Sequence, residues 1–248
     1  MLNVLMYHKL YTDGNKDKNS HSISVKNFKN QIKTLSDKDC ISLEDGDIFN
    51  KDDNKEYYAI TFDDGAESDY KLAFNILKKY NIKASFYIIT NKINSKGCLS
   101  KNEIIQMYKY GMNIGSHTHS HAKLSLLNSH EIYQELYKSK KILEDILGSK
   151  VISISVPGGF YNDEVISIAK EIGYEIILTS DIGFNNFKSN ILKRNAIKEN
   201  MNFSKVLNSG LYLKIFALRY SLLKIIKKLI GNKSYEKIKL KIRKIIKL

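Results

Sequence analysis

The chain has 248 residues, 43% of them hydrophobic, with one proline, which argues against wholesale disorder and suffices for one large α/β domain or two small ones. Its formal charge of +14 is unevenly placed: from residue 205 onward thirteen Lys and Arg stand against Glu236 alone, so the tail carries +12 and the body is nearly neutral. Two cysteines, Cys40 and Cys98, give neither a disulfide framework nor a CxxC metal knuckle and suit a reducing compartment, and no stretch approaches the roughly 18 uncharged apolar residues of a membrane span.

Residues 1–7 form a short apolar run without a basic leader or a cleavage site, and are read as a strand over 2–7 instead of a signal peptide. Further strands are predicted over 57–62, 84–89, 112–115, 151–156, 174–178 and 191–197. Between them, Tyr70, Ala73, Phe74 and Leu77 recur with helical spacing, and Ser100 opens a second helix with Glu103 placed for a capping box. A third helix is predicted to start near Ser129, with His130 a solvated residue at its start. A fourth starts near Asn162, puts Val165, Ile168, Ala169 and Ile172 on one stripe, and ends at Gly173. About seven strands alternating with helices indicate βα units, closed as a barrel or open as a doubly wound sheet. Either fold puts chemistry at the C-terminal ends of strands, where His8, Asp63, Asp64, the histidines of 117–121 and the turn at 157–159 all fall. No linker divides the body, so one domain over 1–204 and a basic extension over 205–248 are expected.

Thr61-Phe62-Asp63-Asp64-Gly65 ends an apolar strand in two adjacent carboxylates, followed by a glycine able to take the positive φ of a sharp turn. Neighbouring carboxylates repel when both ionise, and the repulsion is relieved if one binds a divalent cation while the other remains a base. The triplet is also ordinary turn chemistry, so a second feature is needed. Gly115-Ser116-His117-Thr118-His119-Ser120-His121 supplies it, holding three of the six histidines. On a helical turn His117 and His121 would share a face and His119 would point away. Two imidazoles and one carboxylate make a common open zinc site; cobalt, iron or nickel suit the same ligands.

Together these two motifs resemble those of the polysaccharide deacetylases of the NodB-homology group, the fourth family of carbohydrate esterases, over roughly 2–197. The resemblance implies a distorted (β/α) barrel of about seven strands, with Asp63 as base and Asp64, His117 and His121 as ligands of one divalent metal ion, zinc preferred. It further implies hydrolysis of the N-acetyl group of an amino sugar in a polysaccharide or lipid-linked glycan precursor. In that chemistry Asp63 accepts a proton from water as it attacks the acyl carbon, and the cation stabilises the oxyanion.

Two positions depart from the family pattern. Where many members carry Arg-x-Pro-Tyr-Gly, this chain has Ser155-Val156-Pro157-Gly158-Gly159-Phe160-Tyr161, so the orienting arginine is replaced by Ser155 and another group must position Asp63. The peptide N–H of Gly158, aligned with the family's tyrosine, is expected to serve an oxyanion hole, although Pro-Gly-Gly is equally an ordinary turn. No histidine follows His130, so the late Leu-x-His proton donor is missing. His8 is the replacement considered, with His119 behind it and a structural hydrogen bond as its bland alternative. Tyr161 and Phe184 are weighed for stacking on a sugar or for the core, and Arg194 for a substrate phosphate or for solvent.

In the tail, Leu222, Ile225, Ile226, Leu229 and Ile230 alternate with Lys224, Lys227 and Lys228 as a basic amphipathic helix, and Ile238, Ile242, Ile245 and Ile246 continue the pattern beyond Gly231. It suits an anionic membrane surface, at about 1 kcal/mol per Lys or Arg, or packing on the barrel with a solvated lysine face. No helix-turn-helix, zinc-finger or RNA-binding signature accompanies the charge, so no nucleic-acid partner is expected. The expectation is a cytoplasmic enzyme, peripheral at the inner membrane face. Its rivals are an inactive carbohydrate-binding barrel, a membrane-tethered scaffold, and a hydrolase of another linear amide or an O-acetyl ester.

Overall fold

The computed structural model describes residues 1–12, 21–44, 48–215, 217 and 218; the amphipathic segments expected over 222–230 and 238–246 lie outside them. The first strand, β1 (Leu2–Tyr7), is buried along its whole length, as a parallel strand covered on both faces must be. A short parallel pair, β2 (Leu10–Tyr11) and β3 (Ile23–Ser24), leads into α1 (Val25–Leu35). This helix is not among the elements expected above, although Ser24 caps it and Phe28, Ile32 and Leu35 form its buried stripe. After β4 (Tyr57–Phe62) the chain makes a π-helical segment, Asp69–Phe74, that runs into α2 (Asn75–Lys79).

Next come β5 (Ser85–Ile88), α3 (Lys101–Lys109) and β6 (Asn113–Ser116). The Ser100 and Glu103 capping box forms as the spacing predicts. The long helix α4 (Ser129–Leu147) is capped by Asn128, one residue before the expected start, with Glu131 completing the box. Then follow β7 (Ser153–Ser155), α5 (Asp163–Ile172) and β8 (Ile176–Leu178); Asn162 caps α5 and Gly173, at φ +95°, ends it in the left-handed conformation that glycine adopts without strain.

The last expected strand, 191–197, is two strands, β9 (Ile191–Leu192) and β10 (Asn195–Ala196). The main sheet runs β10-β1-β4-β5-β6-β7-β8-β9 with every pairing parallel. Its two edges, β9 and β10, are separated in the chain only by Lys193 and Arg194, a reach of about 11 Å at most. The sheet must therefore curl back on itself, yet its edges do not pair with each other. The result is a distorted, incompletely closed (β/α) barrel, with the closing residues at the same rim as the strand ends that bear the carboxylates.

Inside, Phe62 stacks on Phe86 with ring centroids 4.9 Å apart and on Tyr7 at 5.4 Å. Burying each such ring stabilises the fold by roughly 1.5–3 kcal/mol and pins the strand that delivers the acidic pair. A late helix, α6 (Phe203–Asn208), buries Val206 and Leu207, and Leu213, in the helical stretch that follows, joins the same core. The packed body thus continues past residue 204.

Candidate active site

Three strand ends meet at the rim. β4 delivers Asp63, whose backbone N–H still donates to Tyr7 O at 3.0 Å, so its side chain is set by the sheet and lies buried in the barrel mouth. Asp64 and Gly65 both take left-handed φ, +80° and +67°. The positive φ expected of Gly65 is therefore shared with a non-glycine residue, a costly conformation that turns the Asp64 carboxylate away from Asp63 and toward the histidines.

After β6 the chain does not make the helical turn that the i, i+4 spacing suggests. His117 N donates to Ile88 O, extending the strand ladder, and Thr118 and His121 then take φ values of +64° and +66°. Thr118 Oγ1 accepts from His121 N at 3.0 Å and closes the loop. This loop, not a helix face, brings the two imidazoles together with ring centroids 5.0 Å apart. His119 is directed elsewhere, its Nδ1 2.9 Å from Thr90 Oγ1.

The Nε2 atoms of His117 and His121 stand 3.5 and 3.6 Å from Asp64 Oδ1, and one ligand atom from each residue lies within 4.8 Å of the others. Zinc with bonds of roughly 2.0–2.1 Å spaces its tetrahedral ligands about 3.4 Å apart, so the donor set fits in number, type and size. His117 Nδ1 donates to Ser155 O at 2.7 Å, which leaves the Nε2 lone pair facing the site. Burial holds both imidazoles below the ordinary histidine value, outweighing the nearby carboxylates, so both are neutral donors at neutral pH.

Arg194 corrects the sequence reading. It faces neither solvent nor a substrate phosphate: it is 0% exposed and forms a bidentate ion pair with Asp63, Nη1 to Oδ1 at 2.7 Å and Nη2 to Oδ2 at 2.8 Å. Nη2 also donates to Ser155 Oγ at 2.7 Å, Ser155 Oγ donates to Asp63 Oδ2 at 3.1 Å, and Nε donates to Thr179 O at 2.9 Å. The arginine missing at position 155 is thus supplied from the barrel's closing segment, and the serine left there completes the same network. Burial by itself would push the Asp63 carboxyl up, but the Arg194 guanidinium, with help from His117, holds it well below the usual carboxylate range.

Asp63, Asp64, His117, His121 and Arg194 line a cavity of about 320 Å³. His8 and Gly158 are on its wall; Gly158 has φ +59°, and a Cβ there would approach the Phe160 ring to 3.1 Å. His8 Nδ1 is buried without a hydrogen-bond partner, and its ring centroid is 5.0 Å from that of His21. Tyr161 is not part of this lining: its hydroxyl donates to Asp181 and its ring packs against the core, as does Phe184. His130 is exposed at the start of α4. Sequence reasoning missed His21 and Lys198, both in the lining, and the pairing of Arg194. Only the last left a sequence signal, as a basic pair, Lys193 and Arg194, within the apolar stretch expected to form the last strand.

The sequence model of the family described as polysaccharide deacetylase matches residues 50–177. The chain belongs to the polysaccharide deacetylase family. Among its relatives, Bacillus subtilis YxkH is 31% identical over 187 residues, covering 73% of this chain and 65% of that protein. A poly-beta-1,6-N-acetyl-D-glucosamine N-deacetylase of Staphylococcus aureus is 30% identical over 190 residues, covering 69% and 64%. The chain therefore spans less than two thirds of the length of these curated relatives. Among solved structures, the Streptococcus pyogenes deacetylase PplD in complex with acetate superposes with a TM-score of 0.76 at 26% identity, covering 84% of this chain and 97% of that one.

Proposed function

We propose that this chain hydrolyses the N-acetyl group of an amino sugar in a polysaccharide or lipid-linked glycan precursor, with one divalent metal ion, zinc preferred, held by Asp64, His117 and His121. The observation that carries the proposal is the meeting of these three ligands beside a separate, arginine-held carboxylate, Asp63, in one cavity. When bound, the cation supplies Lewis acidity, easing the ionisation of water and stabilising charge on the acyl oxygen. Asp63, ionised and fixed by Arg194 and Ser155, accepts the proton of the attacking water. Gly158 N–H is assigned to the developing oxyanion, and His8, whose Nδ1 has no protein partner, to the proton that the leaving amine requires.

The rival of an inactive sugar-binding barrel drew on a missing arginine and a missing late histidine. Arg194 removes the first premise. The site of action proposed is the cytoplasmic face of a membrane, with the +12 tail on anionic lipid. Support comes from the unpaired Cys40 and Cys98 and from Leu211, Ile215 and Leu218, exposed at helical spacing just upstream of the amphipathic segment. No described helix is long and apolar enough to cross a membrane.

Acetate release from N-acetylated glucosamine oligomers tests the activity. Chelation is expected to abolish release and added zinc to restore it; a protein that binds stoichiometric zinc at the three ligands but frees no acetate from any N-acetylated glycan would refute the reading. Sedimentation of the full chain with anionic but not with neutral vesicles is expected for the tail, and equal sedimentation would count against its role.

A further inference from the structure

The cavity wall also carries basic groups besides the three ligands. His8, His21 and Lys198 line it together, and no carboxylate among the described residues pairs with Lys198. Its neighbour Glu199 cannot compensate it: the Glu199 carboxylate accepts from Ser24 N at 2.7 Å, Ser24 Oγ at 2.9 Å and Asn27 Nδ2 at 2.8 Å, and so is spent on the N-terminus of α1. The same clamp ties the segment carrying Lys198 to the one carrying His21. Within the cavity Asp63 is cancelled by Arg194 and Asp64 is committed to the cation, which leaves Lys198 as the uncompensated side-chain charge. Burial, then His8 and Lys198, hold His21 below the ordinary imidazole value, so it meets a ligand as a neutral imidazole.

We propose that His21 and Lys198, beside His8, form an anion subsite for a phosphate ester on the same sugar whose acetamido group meets the three ligands. A phosphate offers several strong acceptor oxygens to an ammonium and an imidazole N–H, and a cavity of this size takes a single sugar with its substituent. This rests on the deacetylase reading for the second half of the substrate, but the subsite itself is a property of these basic groups. The phosphate that the sequence suggested for Arg194 is thus met by Lys198, four residues further on.

Calorimetry with the metal-loaded full chain would compare N-acetylglucosamine with the monoester N-acetylglucosamine 1-phosphate, and then with the corresponding phosphodiester, the same sugar phosphate esterified to a polyprenyl chain, in phosphatidylcholine vesicles. The phosphorylated sugar is expected to bind about tenfold or more tightly than the neutral one, the scale of one charge-assisted hydrogen bond. That advantage should vanish in Lys198→Ala, shrink in His21→Ala and return in Lys198→Arg. A gain confined to the vesicle arm assigns the phosphate to a lipid carrier, and a gain in both arms to the sugar phosphate itself. Equal affinities, or an advantage that survives Lys198→Ala, overturn the subsite, and measured metal content shows that the variants retain the site. Acetate release separates the two ideas. An intact phosphate advantage with no acetate from any sugar leaves the subsite and removes the deacetylase; acetate from a neutral glycan with no advantage does the reverse.

Discussion

At the C-terminal rim of the sheet Asp63 is buried and ionised, whereas at the N-terminal end Glu44 accepts a hydrogen bond from Ser153 Oγ at 2.5 Å and burial pushes its carboxyl up to about 7. Both carboxylates lie against the same parallel sheet, and burial raises both. What separates them is the partner: two guanidinium N–H groups and a hydroxyl for Asp63, one hydroxyl and a more distant Lys140 for Glu44. A buried carboxylate retains its charge only where a fixed cation repays its desolvation. In this barrel that cation, Arg194, arrives from the segment joining the two sheet edges, so the charge state of Asp63, the proposed base, is tied to closure of the barrel.

Removing the charge at the rim should have the largest effect. Asp63→Asn keeps the shape but loses the proton acceptor, and acetate release is expected to fall by about 10³-fold with bound metal unchanged; retention of near-normal turnover would mean that another group is the base. Arg194→Met attacks the partner and makes the rim resemble the other end of the sheet. A loss of about 3 kcal/mol in unfolding free energy is expected, from a buried carboxylate left without its cation. The acid limb of kcat/KM should also move to higher pH, since the Asp63 pKa would no longer be held down; a profile that stays in place would detach Arg194 from the base.

Acid unfolding sharpens the same point. The folded-state pKa of Asp63 is depressed, so its pairing stabilises the protein fully above the unfolded value of about 3.9 and is lost as pH falls through the lower folded value. Wild-type protein should therefore resist acid further than Arg194→Met, as followed by circular dichroism. Ser155→Ala removes one hydrogen bond to the base and leaves the ion pair, with an expected cost of about tenfold in kcat.

The smallest effect belongs to the other end. The folded-state pKa of Glu44 is raised, so its stabilising contribution is complete below the unfolded value of about 4.5 and is lost as pH rises through about 7. Glu44→Gln should consequently stabilise the protein by ~1 kcal/mol at pH 8, after discounting for partial solvent access, and hardly at all at pH 4. Equal stability of the two proteins at pH 8 would show that solvent already relieves this carboxylate.

Much of this was legible in local pattern. β1 and β4 fall on the expected bounds, and the caps at Ser100 and Asn162 and the stop at Gly173 rest on interactions within a few residues of chain. Asp64, His117 and His121 were identifiable because their motifs follow strands directly. Their convergence, however, uses left-handed turns at Asp64, Thr118 and His121 in place of the helical turn that the spacing suggested. Helix α1 escaped even though its stripe of Phe28, Ile32 and Leu35 is plain once its Ser24 cap is recognised.

By itself the sequence determined the order of the main strands and of the helices between β4 and β8, the chemical types gathered at the strand ends, and the uneven spread of charge, because periodicity, capping and composition are properties of neighbouring residues. Only the tertiary structure decided which arginine serves Asp63, that Glu199 is spent on α1 while Lys198 is left to the cavity, and that His21 stands beside His8. These are contacts between segments up to 175 residues apart, and they exist only because the sheet curls until its first and last strands share one rim.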